Sequence, residues 1–135
     1  MPVPVLRPIE RRDLADVMSL CHAEGYPSYT EDPERTWQAL TNPGVTTVVA
    51  DWEGRVVGAA QMLSDGVIQA FLVLVLVHPD HRRGGLGRGL IEHAFARAGG
   101  SRADLLAEEG PVPFYERFAH RRKPGFRLYP EPPAE

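Results

Sequence analysis

Cysteine and lysine are almost absent from this 135-residue chain: Cys21 is the only cysteine and Lys123 the only lysine. A single thiol excludes an intrachain disulfide and fits a reducing compartment, so a cytoplasmic location is expected. Met1 is followed by neither a basic start with an apolar core nor a small-residue cleavage site, and no secretory leader is expected. The longest apolar run, Val67 to Val77, has about half of the roughly 20 residues that a spanning helix needs, so no membrane partner is expected either. Positive charge is not in excess. The 15 Lys and Arg against 18 Asp and Glu give a net charge of -3, which argues against a nucleic-acid partner. There are no internal repeats.

What is present is the composition of a soluble globular protein, 43% hydrophobic and 24% charged with both signs interspersed. The length suits one domain, residues 1-135, with a proline-rich tail from about Pro130. Val5 to Arg7 reads as an edge strand. Leu14, Val17, Met18 and Cys21 recur at helical spacing, which predicts a first helix from an Asp13 cap to about Ala23. Asp32-Pro33-Glu34 reads as the cap and first turn of a second helix running through Leu40, stopped by Asn42-Pro43-Gly44.

Thr46 to Ala50, Val56 to Leu63 and Val67 to Val77 then form an antiparallel meander, with turns at Glu53-Gly54 and Ser64-Asp65-Gly66. Val67 to Val77 is so continuously apolar that it is expected at the centre of the sheet, covered on both faces and long enough to need a bend or bulge. Leu86, Leu90, Ile91, Ala94, Phe95 and Ala98 make a helical stripe that ends at Gly99-Gly100. A short strand at Ala103 to Ala107, a short helix at Pro113 to Phe118 and a last strand at Gly125 to Tyr129 complete the expected order.

Between the apolar strand and the striped helix lies His78-Pro79-Asp80-His81-Arg82-Arg83-Gly84-Gly85-Leu86-Gly87-Arg88-Gly89. A basic, glycine-rich turn that opens a helix can cradle a pyrophosphate, because the first amides of a helix lack intrahelical partners and carry the positive end of its dipole. Spacing separates the competing phosphate motifs. A P-loop needs Gly-Lys-Ser/Thr, which is missing. A dinucleotide fingerprint needs a third glycine after Gly85-x-Gly87, where Leu90 stands, and a parallel unit rather than a meander; Asp104 downstream does not rescue it. His78 and His81 have no Cys or third ligand near them in sequence, so no metal is expected. Cys21, on the apolar stripe of the first helix, reads as core.

The spacing Arg82-x-x-Gly85-x-Gly87 after an apolar strand, entered through Val77-His78-Pro79, resembles the Arg/Gln-x-x-Gly-x-Gly/Ala motif of the GNAT superfamily of N-acetyltransferases. Pro113-Phe114-Tyr115-Glu116-Arg117-Phe118 is similar to that superfamily's second signature. The resemblance implies an α/β (α+β) fold of the acyl-CoA N-acyltransferase type, a mixed, mostly antiparallel, splayed sheet flanked by helices. It implies acetyl-CoA as cosubstrate, with the pantetheine arm along Val75, Leu76 and Val77 and the pyrophosphate on Arg82, Arg83, Gly84, Gly85, Leu86, Gly87 and Arg88. An amide near Val75 or Leu76 would polarise the thioester, and Tyr115 would protonate the departing thiolate.

The acceptor implied is a small-molecule or peptide amine, bordered by the segment between the first two helices. His22, Glu24, Glu108 and Glu109 are the polar groups to which a protonated amine could lose its proton through water. A homodimer is expected at the level of the family. Two positions depart from the family's pattern: Glu108 stands where an Asn is frequent, and Ala119-His120 where Gly-Phe is frequent. Tyr26, Tyr29 and Trp37 could line an acceptor pocket or pack the core. A non-catalytic acetyl-CoA-binding or sensor domain on the same fold is the alternative to an enzyme.

Overall fold

Chain order is sheet order in this protein: β1 (Val5–Pro8), β2 (Val45–Trp52), β3 (Arg55–Ser64), β4 (Gln69–Val77) and β5 (Arg102–Asp104) lie side by side in one five-stranded sheet. The first four pair antiparallel, and β5 pairs parallel with β4. The helices are α1 (Leu14–Glu24), α2 (Pro33–Thr41), α3 (Leu86–Ala98) and the short α4 (Val112–Glu116). The computed structural model describes residues 3–132. These fall into two compact units, divided after Asp104, and each is taken by itself. No helix among the described residues is long and apolar enough to cross a membrane.

In the first unit, α1 and α2 cover one face of the sheet. Leu14, Val17, Leu20, Cys21 and Leu40 pack there against Val49, Val56, Ala59, Leu74 and Leu76. Burial pushes the Cys21 thiol up to about 11, so it is core and not a nucleophile. The opposite face belongs to α3. A Cβ on Gly58 would lie 2.9 Å from Leu90 Cδ1 and 3.0 Å from the Leu76 carbonyl oxygen. Glycine at this point of β3 is what lets α3 sit directly on the strand.

The caps follow local chemistry, with one correction. Asp32 accepts from the Glu34 and Arg35 amides and starts α2 as expected. Asp13 precedes α1 but does not cap it. Its carboxylate instead accepts from the Glu10 amide at 2.7 Å, closing a 3-10 turn, and from both terminal nitrogens of Arg7. Arg7 also reaches Asp51 on β2, so one guanidinium ties β1, β2 and the entry of α1 together.

The long apolar run needs a second correction. The Asp65 carboxylate accepts from the amides of Val67, Ile68 and Gln69, which holds the first two in a turn, and β4 begins only at Gln69. Val67 is 73% exposed. The expected bulge is present. Gln61 pairs with Leu74 and Met62 with Leu72, so Val73 is the extra residue. It exchanges the two faces. Leu74 and Leu76 enter the core under α1, whereas Leu72, level with Met62, is buried on the α3 side, which explains why the strand is apolar from Ala70 to Val77. β4 is not the middle of the sheet; β3 is, third of the five strands, and β5 pairs with the far side of β4 only over Gln69 to Phe71.

The second unit, Leu105–Glu135, holds α4, and Phe114 packs edge-on against Tyr115 and Phe118, whose rings are tilted to each other, with centroids 5.0 to 6.4 Å apart. The expected last strand, Gly125 to Tyr129, is not one: no described residue there pairs into a sheet, and Phe126 and Leu128 are 84% and 88% exposed. The alternation is present, but a strand needs an edge to join, and Pro124 and Pro130 confine this one to five residues. The expected strand Ala103 to Ala107 is likewise only Arg102–Asp104.

Two outcomes follow from this packing. Gly58→Ala overpacks the contact with α3 and should cost about 1–3 kcal/mol in chemical denaturation. Desolvation by itself would raise the Asp13 carboxyl, but the hydrogen bonds from Arg7 and the Glu10 amide outweigh it, and Arg7 with the Gly54 amide likewise holds Asp51 low. Their stabilisation is therefore complete above the unfolded-state value near 4 and is lost as pH falls through the lower folded values. Arg7→Met should remove about 3 kcal/mol at neutral pH and flatten this acid limb in denaturation curves recorded from pH 6 to 2.

Candidate donor and acceptor site

The main-chain groups of β4 divide strictly between its two sides. The His78 amide donates to Val57 O at 2.8 Å, so by the alternation of an antiparallel ladder Leu76 also faces β3, opposite Ala59. Val75 and Val77 then face away from β3. On that side β5 ends its pairing at Phe71, so from Leu72 to Val77 the edge of β4 has no strand partner among the described residues. Leu76, expected with Val75 and Val77 along a pantetheine arm, has its amide directed into the ladder and its side chain in the core. The groups that remain are the N–H and C=O of Val75 and the N–H of Val77.

The strand leads into the glycine-rich loop through a 3-10 turn at Pro79–His81, where His78 Nδ1 accepts from the Asp80 amide at 3.1 Å. His81 packs edge-on against Trp52, with centroids 5.0 Å apart. No group of three or more metal-binding side chains occurs among the described residues. Gly85 is the cap of α3 and sits in the left-handed region at φ 82, where it brings no side chain to the helix terminus. The Gly89 amide is the first to bond within the helix, to Gly85 O at 3.0 Å. The amides of Leu86, Gly87 and Arg88 thus lie outside the helical ladder at its positive end. A Cβ on Gly84 or Gly85 would meet nothing within 4 Å, so the space beside the loop is open.

The arginines of the loop differ. Arg88 Nε donates to Glu92, one turn along α3, at 3.2 Å. Arg82 Nε donates to Val77 O at 3.0 Å, and its terminal nitrogen pairs with Glu24 at the end of α1. Arg83, at φ 66, makes no hydrogen bond or ion pair among the described residues and is exposed.

On the α1–α2 side the aromatic residues border the core. Tyr26, Tyr29 and Trp37 pack on the core cluster. Tyr29 donates to Gln61 at 2.8 Å, Gln61 donates to Ala39 O at 3.0 Å, and Arg11 stacks over the Trp37 ring at 5.4 Å. His22 is exposed on the last turn of α1. Tyr115, half-buried on α4, belongs to the second unit, as do the exposed Glu108 and Glu109. What sequence spacing did not reveal is the Glu24–Arg82 pair, whose partners are 58 residues apart with no local signal linking them.

The family model described as the Acetyltransferase (GNAT) family matches residues 11–120. No curated protein matches the chain significantly in sequence. Among solved structures, the chain is similar to a GNAT-family acetyltransferase from Streptococcus pneumoniae, at 24% identity and a TM-score of 0.73, over 97% of this chain and 100% of that one. It is similar to a ribosomal-protein-alanine N-acetyltransferase from Brucella melitensis, at 19% identity and a TM-score of 0.75, over 95% and 99%. An aminoglycoside N-acetyltransferase in complex with CoA matches at 14% identity and a TM-score of 0.72, over 94% and 95%.

The left-handed cap gives a direct test of the loop. Gly85→Ala meets no steric obstacle, so its cost should come from the backbone angle alone, about 1 kcal/mol in urea denaturation.

Proposed function

Given that the chain belongs to the GNAT family of acetyltransferases, we propose that it transfers the acetyl group of acetyl-CoA to a primary amine by direct attack in a ternary complex. The observation that carries this reading lies within the first unit: an open strand edge at Val75 and Val77 leads directly to a helix N-terminus whose amides are outside the helical ladder. An acyl donor with an extended amide-bearing arm and a pyrophosphate needs this pair of features. The CoA complex of a protein with the same fold supports it. The family match spans both compact units, which supports reading residues 1–135 as one acetyltransferase domain.

In this reading the arm's amides pair with the N–H of Val77 and the C=O of Val75 as an added strand would. The pyrophosphate meets the amides of Leu86, Gly87 and Arg88, and Arg83 supplies its positive charge across the open space beside Gly84 and Gly85. The Val75 amide, farther from the loop, is the donor suited to the thioester carbonyl, whose oxygen becomes anionic when the amine attacks. A C–N bond forms, the tetrahedral intermediate expels the thiolate as the C–S bond breaks, and Tyr115 provides the proton that the thiolate takes up. Amines neutral at the working pH need no protein base; protonated ones lose a proton to water, beside His22. The cytoplasm is the compartment proposed, where acetyl-CoA and a reduced Cys21 coexist.

The deciding experiment is release of free CoA thiol from acetyl-CoA by the purified protein across a panel of amines, peptides and protein N-termini, against a control without acceptor. Turnover with an amine is expected. Acetyl-CoA binding without turnover would move the reading to a sensor domain, and no binding would end it. Gly87→Val should weaken acetyl-CoA binding in calorimetry more than it lowers stability, because a branched Cβ projects where the pyrophosphate approaches. Tyr115→Phe should lower kcat about tenfold or more while acetyl-CoA affinity and folding stay near wild type. Unchanged kcat in a reaction limited by chemistry would make Tyr115 a packing residue.

A further inference from the structure

By its place in the motif, Arg82 reads as a cation for the donor's phosphates. Its guanidinium is committed elsewhere. Nε donates to the Val77 carbonyl at 3.0 Å, and the terminal nitrogen holds the carboxylate of Glu24 on the last turn of α1. The Val77 carbonyl lies on the open side of β4, since Leu76 takes the side facing β3. One side chain thus joins the end of the strand to the helix that leads, through the left-handed cap Gly25, into the α1–α2 segment.

The carbonyl has a consequence for register. Left without a partner, the Val77 C=O would offer an approaching arm a second acceptor, one step beyond Val75, and pairing on an open edge could slip. With Arg82 on it, the acceptor remaining on the exposed side is the Val75 carbonyl, and the thioester is brought to the Val75 amide. A carboxylate is what keeps a flexible arginine in this bent position when phosphates stand nearby, and Glu24 supplies it.

On the donor reading given above, we propose that Arg82 is a positioning residue and not a phosphate ligand, and that Glu24 is its anchor: the pair caps the Val77 carbonyl and sets the register at which the acetyl thioester meets the Val75 amide. Arg83, whose side chain is exposed and unpaired among the described residues, is then the loop cation left for the pyrophosphate.

The test compares wild type with Glu24→Gln, Arg82→Gln and the double variant, using acetyl-CoA and S-acetylpantetheine, which carries neither phosphate nor nucleotide. Each single change should lower kcat/KM by about threefold to tenfold with both donors, mostly through kcat. The double variant should be no worse than Arg82→Gln, the non-additivity of two residues acting as one unit. Arg82→Lys should recover only part of the loss, because an ammonium lacks the fork that spans both acceptors. The proposal is overturned if Arg82→Gln impairs acetyl-CoA alone while Glu24→Gln leaves it unchanged or tightens it, as a released phosphate ligand would. If S-acetylpantetheine is not turned over, additivity of the two changes with acetyl-CoA overturns it by itself. A wild type that neither binds nor turns over acetyl-CoA would instead remove the donor reading on which the proposal rests.

Discussion

Main-chain groups along one side of a β-strand must find partners somewhere, and in this protein the strand at issue is β4. β3 pairs with one of its sides from Ala70 to Val77, whereas β5 pairs with the other only from Gln69 to Phe71. The difference between those two lengths leaves a wedge beside Val75 and Val77. The loop that continues the strand brings a helix terminus, with its amides outside the ladder, to the mouth of the same wedge. Neither feature binds a donor by itself. The edge offers hydrogen bonds to an extended arm, the helix end offers them to an anion, and the short link between them fixes their order.

An open edge is a hazard as well as an opportunity, and the sheet handles its first edge differently. The Ile9 amide donates to Thr47 O, so along β1 the outward positions are Leu6 and Pro8, and Pro8 has no N–H to offer. Rigidity behind the wedge comes from packing. The bulge at Val73 turns β4 so that Leu74 and Leu76 anchor it under α1 while Leu72 is buried on the other face. Gly58 lets α3 approach β3 closely enough for Leu90 to sit on its backbone. Arg7, bonded to Asp13 and Asp51, secures the far side of the sheet to the start of α1. Through Glu24 and Arg82, the other end of that helix meets the donor loop.

Much of this is legible in the sequence. Periodicity and caps located α1, α2, α3 and the meander, because those signals are local: Asp32 before Pro33, Gly85 and Gly99 around the stripe of α3, Glu53-Gly54 between two β-rich runs. The loop and its glycines were recognisable for the same reason. What escaped was set by partners distant in sequence or by competition between equally local rules. Asp13 looked like a helix cap, yet Arg7 and the Glu10 amide claimed its carboxylate. Val67 and Ile68 looked like strand, yet the Asp65 side chain bound their amides first. Gly125 to Tyr129 has strand periodicity but no edge to join. The assignment of the edge groups to Val75 and Val77, and not to Leu76, depends on the ladder's phase, which no sequence pattern encodes.

The central claim is that the open side of β4 and the start of α3 together receive the acyl donor, and backbone amide NMR reads both directly. On titration with acetyl-CoA, the amides of Val75 and Val77 should shift and gain protection from hydrogen exchange, together with those of Leu86, Gly87 and Arg88. The amide of Leu76, already paired with β3, should change far less. Saturating binding that leaves Val75 and Val77 unperturbed, with shifts confined to other parts of the chain, would contradict the account.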